Sequence, residues 1–177
     1  MSADGAVMKN PQGEILTDQL LVAFGALLQC FARYEITIER AIASILQTDV
    51  SNVAILIRHL DLMDKRAALL ALLKSHSIPD DRWERIFAHL TVPASNIGLR
   101  NHIIHSTWMA SPEPKSIQPN WILQLPPEIE PISSGQKFGD SSSYTLEMLT
   151  DTADNLTRSH ERFVECLVEY DLIRLQS

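Results

Sequence analysis

The stretch LRNHIIHSTW, from Leu99 to Trp108, gathers an arginine, an asparagine and two of the chain's six histidines. An imidazole moves protons near neutral pH. A guanidinium offers a planar fork of donors to phosphoryl or carboxylate oxygens, and an amide can orient either the imidazole or a phosphate. Arg100, Asn101 and His105 together therefore suit acid–base chemistry on a substrate that carries oxyanions. On a helical wheel with Arg100 at 0°, Ile104, Ile97 and Trp108 fall at about 40°, 60° and 80°, and Ile103 and Leu99 at about 300° and 260°. Arg100 thus points into the middle of an apolar arc. Asn101 and His105 lie on its edge at about 100° and 140°, and His102 at about 200° on the opposite side. A charge inside an apolar arc needs a partner or an exit. Three accounts are open: a salt bridge to a carboxylate on another helix, with Glu35 or Asp64 as candidates; snorkelling of the arginine stem; or a groove or subunit seam where the guanidinium meets an anion. If a carboxylate is the partner, truncating Arg100 leaves it unpaired at a cost of order 3 kcal/mol.

Other chemistries find less support. His102 and His105 are three residues apart and could reach one metal, with His160 arriving from the last helix. No third ligand follows at diagnostic spacing and there is no H-E-x-x-H, so no metal site is expected. A serine nucleophile would need an elbow such as G-x-S-x-G, and the serine run lies in a turn instead. No P-loop, dinucleotide fingerprint or Cys-x-x-Cys pair is present, and no cofactor is expected. Cys30 and Cys166 each sit in an apolar helical pattern and read as free buried thiols.

The elements that must position these groups are helical. The chain has 177 residues, 45% of them hydrophobic, which suits one globular domain with a core. A formal net charge of −7 argues against a general nucleic-acid coat but not against a local positive groove. No apolar run approaches the ~20 residues of a membrane span. The start lacks the basic and apolar regions of a signal peptide, so a cytoplasmic protein is expected. Residues 1–13 read as a flexible tail and 14–177 as a single domain. From Glu14 to about Leu46, apolar residues recur at three and four and predict one long helix. A second helix covers Val53 to about Ser75, capped by Ser51 or Asn52 and bending near Leu60. A third starts at Asp80 and Asp81, meets a break or kink at Pro93, and continues from Ser95 to about Met109. Residues 110–144, with six prolines, read as an irregular surface insertion or small hairpin. WILQLP and QKFG are its candidate strands and GDSSS its turn. Thr145 caps a last helix with a stripe from Leu146 to Tyr170. The fold class is all-α: a bundle of four to five helices with a small insertion before the last one.

In this setting Arg100, Asn101 and His105 spell R-N-x-x-x-H, which resembles the R-x4–6-H motif of the HEPN superfamily, with the polar residue after the arginine that its members favour. The motif falls in a late helix of an all-helical bundle, after a long first helix that carries Glu35 and before a long last helix. The resemblance covers roughly residues 14–109 and 145–173. It implies a metal-independent endoribonuclease, in several relatives a toxin or defence effector. Arg100 would match the motif arginine, Asn101 its polar neighbour and His105 the motif histidine. It also implies a homodimer in which two motifs face one cleft, with RNA as substrate and an antitoxin or regulatory protein as partner. Other members are catalytically silent dimers that bind RNA or a partner protein. Arg82 and Arg85 are the nearest further cations in sequence.

Overall fold

A computed structural model describes residues 8–9, 15–76, 78–120 and 143–173. The long first helix, α1, runs Asp18–Ile45. Thr17 caps it through a side-chain oxygen that accepts the Leu20 N–H, and Asp18 complements its positive end. Helix α1 starts later than the periodicity predicts. Ile15–Leu16 form a short strand, β2, paired antiparallel with β1, Met8–Lys9, within and beside the stretch read as a tail. Leu27, Phe31, Tyr34 and Ile38 recur at three and four and are almost wholly buried. Helix α1 is long and apolar enough to cross a membrane by length and composition, although the sequence reading found no such run. Its apolar stripe is instead the centre of the core, packed against the last helix.

The second predicted helix is two. Helix α2 runs Val50–Ile57 and α3 runs Leu62–Ser75. The expected bend near Leu60 is a full break, because Asp61 caps α3 by accepting the Asp64 N–H at 2.9 Å. Asp49, rather than Ser51 or Asn52, holds the cap position of α2. Helix α4, Asp80–Ser95, passes through Pro93. Proline has no N–H, so the His89 carbonyl loses its helical donor. The Tyr34 and Ser159 hydroxyls lie 3.5 and 3.4 Å from that oxygen and donate to it from neighbouring helices. The freed carbonyl thereby ties α4 to the centre of the bundle. Helix α5, Ile97–His105, follows after Asn96. The last helix, α6, spans Leu146–Glu169 and is capped by Thr145 as expected.

Helix α5 stops four residues before the predicted end at Met109. Ser106 is extended (φ −109°, ψ 149°), and Thr107–Ala110 form β3. With β4, Ser116–Asn120, and β5, Tyr144–Thr145, it makes a three-stranded antiparallel sheet in the order β3-β4-β5. Trp108 faces Pro119 across this sheet and its ring packs on Phe24 (centroids 4.7 Å apart) and Tyr144 (5.8 Å). The tryptophan belongs to a strand and not to the motif helix, so its place on the helical wheel is superseded. The predicted strands WILQLP and QKFG lie outside the described residues, as does all but the last residue of GDSSS. The molecule is an all-α bundle carrying a small antiparallel sheet before its last helix, in agreement with the predicted class. Cys30 and Cys166 are free and buried.

Burial has a consequence for alkaline stability. Tyr34 is fully buried, and desolvation pushes its phenol from 10.0 up to about 12. Between those values the unfolded chain loses the proton while the folded chain keeps it. Stability therefore falls as pH rises through this window, by about 3 kcal/mol for two pKa units. Tyr34→Phe is expected to flatten that part of the pH slope when urea midpoints are compared at about pH 9.5 and 12. An identical slope in both proteins would show that Tyr34 ionises as readily folded as unfolded.

Candidate functional site

Helix α5 is seated by Leu99, which is buried, and by Ile97 and Ile103, which pack half-buried against the core. That seating turns Arg100 inward to a half-buried position and leaves Ile104 and His105 exposed. Arg100 Nη2 lies 3.8 Å from Glu35 Oε1, while Nη1 donates to Asn101 Oδ1 at 3.2 Å. Of the two candidate carboxylates, Glu35 is the neighbour. Asp64 is exposed in the first turn of α3.

Glu35 has a closer partner. Lys65 Nζ donates to Glu35 Oε2 and to Glu39 Oε1, each at 2.9 Å. Only 5% of the Lys65 side chain is exposed, against 27% for Arg100. Burial works against the lysine charge, but the hydrogen bonds to Glu39 and Glu35 outweigh it and raise its pKa above the usual lysine value. Two carboxylates on successive turns of α1 thus meet one cation from α3 and one from α5, and the four formal charges cancel. Lys65 and Glu39 escaped the sequence reading, although the signal was present. Leu62, Lys65, Leu69 and Leu73 are the buried positions of α3, so the lysine stands where the stripe demands an apolar residue.

His105 is the last residue of α5, and among the described residues it has no hydrogen bond or ion pair. His102 Nδ1 lies 3.0 Å from the Tyr144 hydroxyl, which ties the helix to β5. The structure therefore brings Arg100 and Asn101 into contact and leaves the His105 imidazole open to solvent on the same short helix. His160, the possible third metal ligand, pairs instead with Thr37 Oγ1 at 2.9 Å, on the seam of α1 and α6. Among the described residues no group of three or more His, Cys, Asp or Glu side chains is placed to hold a metal. Arg82 and Arg85 are engaged at the α4–α6 seam. Both guanidinium groups lie against the Tyr170 ring, 4.7 and 5.5 Å from its centroid, and Arg85 also pairs with Glu169. A groove of about 540 Å³ lined by Lys74, Ile78, Pro79, Asp80 and Trp83 contains none of the motif residues.

Chemically, the site offers a guanidinium with spare donors. Arg100 carries five N–H groups. Among the described residues its guanidinium makes one hydrogen bond, to Asn101, which uses a single donor, and the 3.8 Å approach to Glu35 exceeds hydrogen-bond length. The remaining donors can meet an oxyanion, with an exposed imidazole just over one turn along the helix. No family model matches this chain, and no curated protein or solved structure matches it.

Proposed function

We propose that the chain is a HEPN-like, metal-independent endoribonuclease. One observation carries the reading: Arg100 is half-buried yet held by Glu35 only at 3.8 Å, and shares its helix with an exposed His105. RNA brings its own nucleophile, the 2′-OH. His105 moves the proton, Arg100 stabilises the charge that develops on the phosphorane, and Asn101 orients the guanidinium. The bond from phosphorus to the 5′ oxygen breaks, which gives a 2′,3′-cyclic phosphate and a 5′-OH. DNA lacks the nucleophile and resists this route. The test is a labelled RNA incubated in EDTA across about pH 5 to 9, with cyclic phosphate ends scored. Cleavage is expected to survive chelation, and stoichiometric zinc that persists through purification would favour a metal site instead.

A shared cleft requires a homodimer. Ile104 is 44% exposed on α5, and Ile36, next to Glu35 on α1, is 49% exposed. These offer apolar surface near the motif. Trp108 does not add to it, since it is buried within its own chain. A two-fold dimer is expected in sedimentation at micromolar concentration; a clean monomer that still cleaves RNA would rule out the shared cleft.

A second reading has its own support. The ion-pair cluster of Arg100, Glu35, Lys65 and Glu39 lies inside one subunit and suits a purely structural arginine. In that case the chain is a catalytically silent helical dimer that binds RNA or a partner protein. Failure of the wild type to cleave any RNA, together with retained RNA binding, would select it.

A further inference from the structure

Beneath the motif lies a buried cation that takes no part in the proton transfer described above. Lys65 reaches from α3 to two carboxylates on α1, and one of these is the carboxylate nearest Arg100. A free carboxylate beside a guanidinium ordinarily takes it in a bidentate pair with N–O distances near ~2.8 Å. Such a pair consumes the donor fork and places a negative charge where a phosphate must come. Here that pairing is not made. Glu35 Oε2 is taken by Lys65 at 2.9 Å, and only Oε1 faces Arg100, at 3.8 Å, beyond hydrogen-bond length.

Glu35 and Glu39 stand four residues apart on one helix, an arrangement that repels when uncompensated. Lys65 satisfies both with two of its three N–H donors. Without it, the nearest cation left to Glu35 is Arg100. We infer that Lys65 is a positioning residue: by occupying Glu35 it keeps the Arg100 guanidinium available for a phosphodiester oxyanion. This rests on the reading of Arg100 as a phosphate ligand. It adds that the lysine, and not the arginine, is the structural counter-ion of the cluster.

The test uses the full-length protein and a fluorescent RNA oligonucleotide with 2′-O-methyl groups, which binds but lacks the nucleophile. Lys65→Met should let Glu35 capture Arg100 and weaken binding about tenfold or more, the value of one charge-assisted phosphate contact. Removing the carboxylate charge as well, in Lys65→Met/Glu35→Gln, should restore affinity to near wild type. Lys65→Met/Glu39→Gln is the control. It relieves the surplus charge equally but leaves Glu35 free to take Arg100, so its binding should stay weak. A lysine that merely supports the fold predicts recovery in both double variants. Wild-type affinity in Lys65→Met, an equally weak Lys65→Met/Glu35→Gln, or recovery in both double variants overturns the inference. Should Lys65→Met fail to fold, Glu35→Gln alone decides. The oligonucleotide should bind it as tightly as wild type or tighter, and weaker binding would show that Glu35 serves the phosphate contact.

Arg100→Ala separates the two levels of the argument. If it binds the oligonucleotide as well as wild type does, the phosphate reading of Arg100 fails. The role of Lys65 is then judged by the Arg100 Nε–H signal in ¹⁵N NMR. Capture by Glu35 in Lys65→Met should shift that signal and slow its exchange with water, and Glu35→Gln should reverse both changes. An unmoved signal would overturn the inference without reference to RNA.

Discussion

Replacing His105 with alanine is expected to abolish RNA cleavage while leaving helical content and the unfolding midpoint near those of the wild type. The side chain is exposed at the last position of α5, so truncation opens no cavity. Loss of a positioned acid–base group lowers the rate by about 10² to 10⁴. Arg100→Ala is expected to cost a similar amount, about 10² to 10³, through lost stabilisation of the phosphorane. Its effect on stability should be smaller than the sequence suggests. The expected cost of order 3 kcal/mol assumed a carboxylate left alone, but Lys65 stays on Glu35 at 2.9 Å when Arg100 is gone. A loss within about 1 kcal/mol follows for a part-exposed contact at 3.8 Å. His102→Ala serves as the control. It loses the Tyr144 contact but stands on the opposite side of the helix from Arg100, tied to β5, and should cleave like wild type. Undiminished activity in His105→Ala would sink the assignment of the imidazole, whatever Arg100→Ala does.

The helical framework was legible because its signals are local and redundant. The stripe of α1, the cap at Thr145 and the acidic start of α4 each follow from spacing and residue type within one turn or two. The break before α3 rests on a local cap, Asp61 on the Asp64 N–H, but at two other misread places a distant partner decides. At Pro93, where a break or kink is expected, α4 runs on to Ser95, and Tyr34 and Ser159, far away in sequence, serve the carbonyl that the proline leaves free. The motif helix looked continuous to Met109 because Trp108 completes its apolar arc. The same tryptophan is claimed by Phe24 and Tyr144 across a sheet that periodicity cannot register. At the site, Glu35 as a neighbour of Arg100 could be anticipated from a charge stranded in an apolar arc. The dominant role of Lys65 could not, because choosing between lysine and arginine as the main partner needs the distances.

That choice has the largest expected effect on stability. Lys65→Met keeps the volume and apolar stem of a side chain that is 5% exposed, but removes the ammonium held between Glu35 and Glu39. Taking one partner from a buried ionic cluster costs about 3 to 5 kcal/mol, chiefly because the remaining charge is left uncompensated. The carboxylates retain 24% and 15% exposure, and Glu35 can turn to Arg100, so the lower end, about 3 kcal/mol, is expected. That corresponds to a fall in midpoint temperature of roughly 6 to 12 °C for a domain of this size. Arg85→Ala offers a contrast: its pair with Glu169 is about half exposed on both sides, so solvent screens it and the loss of that ion pair should leave stability close to wild type. Removing one surplus carboxylate with the lysine, in Lys65→Met/Glu39→Gln, should recover much of the loss, since Glu35 and Arg100 then balance. The pH dependence has a fixed sign. The folded-state pKa of Lys65 is raised, so its contribution is fully present below the unfolded value of about 10.5 and is lost as pH rises through the folded value. The gap between wild type and Lys65→Met should therefore stay level from about pH 7 to 9.5 and narrow only at higher pH. If the two proteins unfold within about 0.5 kcal/mol of each other at pH 7, or if the double variant is no more stable than the single one, the charges at this seam do not balance as their distances indicate.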